Sequence, residues 1–65
     1  MKVKDVIARA QQHISIKNVL IRNVNIKNLL YFGAINNIPN QLLNKEVVCY
    51  LYNPSRKLFI LKVST

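Results

Sequence analysis

Acidic residues are nearly missing from this chain: Asp5 and Glu46 stand alone against ten Lys and Arg in 65 residues. Paired-carboxylate catalysis needs two such groups in one cleft. Asp5 reads instead as a helix-start charge and Glu46 as a strand-edge charge. Cys49 is the only cysteine and His13 the only histidine, so neither an intrachain disulfide nor a complete zinc shell can be built. A His13–Cys49 nucleophile pair is conceivable by residue type. A His at a helix end and a Cys in a strand read more simply as structural, and Cys49 is expected to be buried and inert. Gly33 is the only glycine, which excludes a phosphate-cradling glycine loop. No apolar run approaches the roughly 18–20 residues of a membrane span. Nor does an apolar signal-peptide core follow Lys2 and Lys4. The lone thiol suits a reducing compartment. The expectation is a cytoplasmic, non-enzymatic protein with no cofactor and no metal.

What is present is cationic and greasy at once. The net charge is +8, and 51% of residues are apolar. The charge calls for an anionic partner: nucleic acid, an anionic membrane surface or an acidic protein. The length allows one domain, residues 1–65. A domain of this size buries only about 60% of the surface of its unfolded chain, and self-association is the one staple left to it. A homodimer is therefore expected. Nine Asn, eight Ile and seven Lys have the bias of an AT-rich genome.

Residues 3–14 read as an amphipathic helix, with Val3, Val6, Ile7, Ala10 and Ile14 on one stripe. Asp5 complements the dipole at its start, but no good N-cap precedes it, and fraying is expected there. Residues 16–22 and 27–33 read as two strands around a loop at 23–26. Ile16-Lys17-Asn18-Val19-Leu20 recurs as Ile26-Lys27-Asn28-Leu29-Leu30, which supports two equivalent strands. Residues 36–44 read as a connection with one helical turn. Pro39 is expected at its first position, Ile38 and Leu42 across it, and Asn44 in a left-handed exit. Residues 45–52 and 57–63 read as a second pair of strands around the Asn53-Pro54-Ser55-Arg56 turn. The fold class is α+β: an N-terminal helix on a four-stranded, mostly antiparallel sheet.

Period two sets Val47, Cys49 and Leu51 against Val48, Tyr50 and Tyr52, and Leu29 and Tyr31 against Leu30 and Phe32. No strand has a clean polar face. One helix covers one side of such a sheet, so the other side is left apolar, beyond what monomers usually expose. This too points to a dimer or a docking partner.

Several segments resemble a known group. Met-Lys-Val-Lys-Asp-Val-Ile opens the chain, Tyr31-Phe32-Gly33-Ala34 closes a hairpin, and Asn37-Ile38-Pro39-Asn40-Gln41-Leu42-Leu43-Asn44-Lys45-Glu46-Val47-Val48 follows. Together they resemble short phage- and plasmid-borne proteins of low-GC bacteria, with an Ile-Pro-x-x-Leu-Leu turn and a Glu-Val-Val strand. The resemblance implies a mobile-element origin and an accessory role. That family has no settled activity, so no site residue is carried over.

Two functional readings stand side by side. In the first, a basic and aromatic sheet surface stacks bases and holds phosphates. Its candidate residues are Lys17, Arg22, Lys27, Tyr50, Tyr52, Arg56, Lys57 and Lys62, with Tyr31 and Phe59 on the same strands. In the second, the protein inhibits or modulates a host defence or replication protein by docking on its acidic surface. A plainer account of the same residues makes the tyrosines core or interface and the lysines solvating. Membrane-surface binding ranks third, because the polar face of the helix is not densely basic.

Overall fold

A computed structural model describes residues 1–25 and 28–64. The expected hairpin loop at 23–26 lies partly, and Lys27 wholly, outside the described residues. The elements run α1 (Val3–Gln11), β1 (Asn18–Asn23), β2 (Leu29–Ala34), a 3-10 turn (Ile35–Asn37), α2 (Asn40–Leu43), β3 (Val47–Asn53) and β4 (Leu58–Val63).

The order across the sheet is β2-β1-β4-β3. The two hairpins, β1/β2 and β3/β4, are antiparallel; the central pair, β1/β4, is parallel. The parallel join follows from connectivity. The chain leaves β2 at one edge, crosses through the 3-10 turn and α2, and enters β3 at the other edge. The central strands alternate as the sequence expects. Val19 and Ile21 with Phe59, Leu61 and Val63 are buried under the helix layer, while Leu20, Ile60 and Lys62 turn to the opposite face.

Both edge strands depart from simple alternation. The register shifts between Ile21 and Arg22 opposite β2, and between Val47 and Cys49 in β3. One extra residue at each place, Leu30 and Val48, forms a bulge, and a bulge exchanges faces for everything beyond it. Val47 therefore shares the helix side with Tyr50 and Tyr52, not with Cys49 and Leu51. Leu29 shares the open side with Phe32, not with Tyr31. Cys49, expected in the core, is exposed.

α1 ends at Gln11 rather than at residue 14; a turn continues it, with the His13 and Ile14 N–H groups both donating to Ala10 O (3.0 and 2.9 Å). Its start is tied down where fraying was expected. The Asp5 carboxylate accepts from Lys2 N–H at 3.4 Å. The first residues also run along the entry to β3, with Val3 N–H donating to Lys45 O (3.0 Å) and Val47 N–H to Met1 O (2.8 Å). Backbone pairing replaces the missing cap.

The core combines Val3, Val6 and Ile7 of α1, the inward residues of β1 and β4, and Ile38 and Leu42 of the connection. The expected packing of Ile38 with Leu42 across the turn is present in that both are buried. Pro39 precedes α2 instead of opening it. Asn44 is not left-handed (φ −97°, ψ 1°); its Nδ2 donates to Asn40 O at 3.3 Å and closes the turn from the side chain.

Gly33 has a specific reason. It faces the helix side beside Val19. The Tyr31 side chain crosses it to donate from Oη to Ala34 O at 2.7 Å. A Cβ at Gly33 would lie 2.9 Å from that hydroxyl.

Candidate nucleic-acid interface

α1 and the connection do not reach across the whole sheet. On the β3 side they leave an open groove of about 630 Å³. Val6, Arg9, Ala10 and His13 form one wall, and Tyr50, Tyr52 and Phe59 form the floor. The wall follows from helical spacing: positions 6, 9, 10 and 13 recur at i, i+3, i+4 and i+7 along one stripe. The floor follows from the Val48 bulge, which turns both tyrosines to the helix side.

The three rings differ in burial. Phe59 is 2% exposed and belongs to the core. Tyr52 is half-buried; its ring centroid is 6.5 Å from that of Phe59, and its hydroxyl donates to Ser15 O at 2.6 Å. Tyr50 is 62% exposed, with its ring centroid 5.6 Å from that of Phe59 and tilted by 46°. Tyr50 thus offers a supported ring with a free surface.

The candidate cations divide into two sets. Lys17, Arg56 and Lys57 gather at the end of the sheet where β1 and β4 begin. There Lys17 N–H donates to Lys57 O at 2.8 Å. Asn53 Oδ1 fixes the turn by accepting from Ser55 and Arg56 N–H (3.1 and 3.3 Å), and Lys57 leaves it with φ 51°. The hydrogen bond from Tyr52 to Ser15 places this end beside the groove. Arg22 and Lys62 pair in register on the other face of the sheet, near the opposite end. By alternation Arg22 and Lys62 face away from Tyr52, while Tyr50, at the sheet edge, lines a second hollow together with them. Arg9 and His13 stand on the groove wall. Helix spacing could have found them, but only with the knowledge that β3 lies beside that stripe.

The opposite face is apolar across its middle: Phe32, Leu20, Ile60 and Leu51 form one row across all four strands. Leu29, Phe32 and Leu51 are 56, 56 and 63% exposed. A smaller hollow of about 230 Å³ lies at the Arg22 and Lys62 end, with Cys49, Tyr50, Leu51 and Ile60 on its lining.

Negative charge hardly enters. Among the described residues the one ion pair joins the Met1 ammonium to Glu46 Oε2 at 3.2 Å, and the cations stay available. Also among them, no group of three or more His, Cys, Asp or Glu could hold a metal ion, and no helix is long and apolar enough to cross a membrane. The fold is thus an α+β layer with a cationic, aromatic groove at one side. No protein-family model, curated protein or solved structure matches the chain.

Proposed function

We propose that this chain is a non-enzymatic basic module that binds nucleic acid in the groove between α1 and β3. The observation that carries the reading is the Tyr50 ring, exposed over Phe59 and faced by Arg9 and His13 across the groove. An unpaired base stacks on Tyr50, Arg9 meets the backbone, and Lys17, Arg56 and Lys57 continue the cationic track along the sheet end. Stacking of this kind tolerates any base. Counterion release from phosphates supplies most of the affinity. The module works in the cytoplasm as a homodimer, in the accessory role that its resemblance to mobile-element proteins implies.

A fluorescence-polarisation titration with single-stranded and duplex oligonucleotides at several salt concentrations tests this. Affinity is expected to fall steeply with salt and to favour single strands. Tyr50→Ala should cost about 1–3 kcal/mol of binding with little loss of stability, because the ring is mostly exposed. Binding weaker than about 10⁻⁴ M at low salt would overturn the reading.

One observation favours a second reading, that of an inhibitor or modulator docked on a host defence or replication protein. The open face, apolar in its middle row with Arg22 and Lys62 at its margin, has the make-up of a protein interface for an acidic partner. Retention of a host protein by the chain after nuclease treatment, lost on Phe32→Glu, would favour it.

A further inference from the structure

We propose that Arg22 and Lys62 form a second anion site on the far side of β3, and that it holds a backbone phosphate of the same nucleic-acid strand that stacks on Tyr50. The strand crossing rests on the nucleic-acid reading of the groove; the anion site does not.

Arg22 and Lys62 are direct neighbours on the parallel central strands and project to the same face. Adjacent strands lie about 4.8 Å apart. Like charges set side by side in a sheet repel each other. No acidic side chain offsets this. Asp5 stands in the first turn of α1, on the other side of the sheet. Glu46 lies near the same end of the sheet as Lys62, with Ser64 N–H donating to Glu46 O at 3.1 Å, but its carboxylate accepts from the Met1 ammonium. Among the described residues that is the one ion pair. A bound anion removes the repulsion between the two cations.

The hollow beside them suits one small group. It holds about 230 Å³. That is below the roughly 300–1,000 Å³ of a small-molecule pocket, so it admits a phosphate and not a whole nucleotide. Ile60 and Leu51 supply its apolar lining, and Cys49 stands in register with Lys62. Arg22 is half-buried and Lys62 exposed. A guanidinium fork matches two phosphate oxygens, and a mobile ammonium reaches a third.

Tyr50 and Leu51 line both this hollow and the groove between α1 and β3. β3 is an edge strand, so a single chain separates the two sites. The N-terminal segment runs along the outer edge of β3 as far as Val47. Tyr50 and Leu51 lie beyond it, 62 and 63% exposed. A strand whose base stacks on Tyr50 passes over the edge there and sets a following phosphate between Lys62 and Arg22. Lys62 is one strand spacing from β3 and Arg22 two, about 10 Å. The shared Tyr50 favours a nucleic acid over a protein carboxylate, because only the former brings a flat base and a phosphate together. Leu20, Leu29 and Phe32 take no part in the lining.

Cys49 lines the hollow and is the only thiol of the chain, so its alkylation by neutral iodoacetamide reads occupancy directly. Oligothymidylate at low salt should slow the alkylation severalfold. Inorganic phosphate at millimolar concentration should slow it too, and chloride at equal ionic strength should not. Lys62→Gln should abolish both protections and lower the log–log salt slope of oligonucleotide binding by about one. Arg22→Gln should act in the same way. Lys4→Gln, which removes one charge from an exposed position of α1, should leave protection and slope in place. Lys62 is exposed, so the thermal transition of Lys62→Gln should not fall. Oligonucleotide binding that Tyr50→Ala weakens, with Cys49 alkylated at the free rate, would overturn the crossing and leave the groove reading intact. Protection by inorganic phosphate without any oligonucleotide binding would overturn the nucleic-acid reading and the crossing, uphold the anion site and assign it to an acidic protein. Protection by neither, or protection that Lys62→Gln leaves unchanged, would overturn the anion site.

Discussion

Lys57 shows how one residue can serve the turn poorly and the surface well. It adopts φ 51°, a left-handed conformation that costs an L-residue about 1–2 kcal/mol relative to glycine. It also sits with Lys17 and Arg56 at the cationic end of the sheet. Lys57→Gly should therefore raise stability by about 1 kcal/mol in urea unfolding. The same change should lower the log–log salt slope of oligonucleotide binding by about one. A gain in stability without change in slope would remove Lys57 from the interface. Cys49 carries the matching lesson about legibility. Alternation with Val47 and Leu51 predicts a buried thiol, yet Cys49 is exposed, because period two holds only while the ladder is unbroken and one inserted residue at Val48 reverses it. Nothing in Val-Val-Cys announces a bulge. Alternation still sets Tyr50 and Tyr52 against Cys49, and the bulge turns the tyrosine side to the helix layer, over the groove.

At the level of elements, the strands, the helix and the short turn before β3 were legible because each has a local signal. These are the 3.6-residue stripe in α1, β-branched runs in the strands, and Pro39 with Ile38 and Leu42 in the connection. The parallel centre of the sheet was not, since strand order depends on where the crossover lands, and residues 36–44 do not encode that. The wall of Arg9 and His13 is not legible in the sequence for the same reason: it exists only because β3 lies beside that stripe. The two faces of the sheet now make a sharp contrast. Phe59 is 2% exposed and Phe32 is 56% exposed. Phe59→Ala should cost about 3–5 kcal/mol, a large share of the whole stability of so small a domain. Phe32→Ser should cost less than about 1 kcal/mol in the isolated chain. Urea midpoints measured at low protein concentration check both. A large loss for Phe32→Ser would mean that the open face is already covered.

At the scale of the molecule, charge and shape converge on one side. The chain has two acidic side chains, one of them held by the Met1 ammonium, and its groove joins an exposed ring to Arg9 of α1. Among the described residues, the opposite face offers apolar area with Arg22 and Lys62 towards one end. The groove therefore suits a polyanion with flat bases, and the open face suits a protein. The most direct measurement is an amide chemical-shift map of the ¹⁵N-labelled chain, titrated with a short single-stranded oligonucleotide at low salt. The account predicts that the shifts concentrate at Arg9, His13, Tyr50, Tyr52 and the Arg56–Lys57 turn, while Leu20, Leu29 and Phe32 stay unmoved. No shifts at saturating oligonucleotide, or shifts centred on Leu20, Phe32 and Leu29, would contradict it.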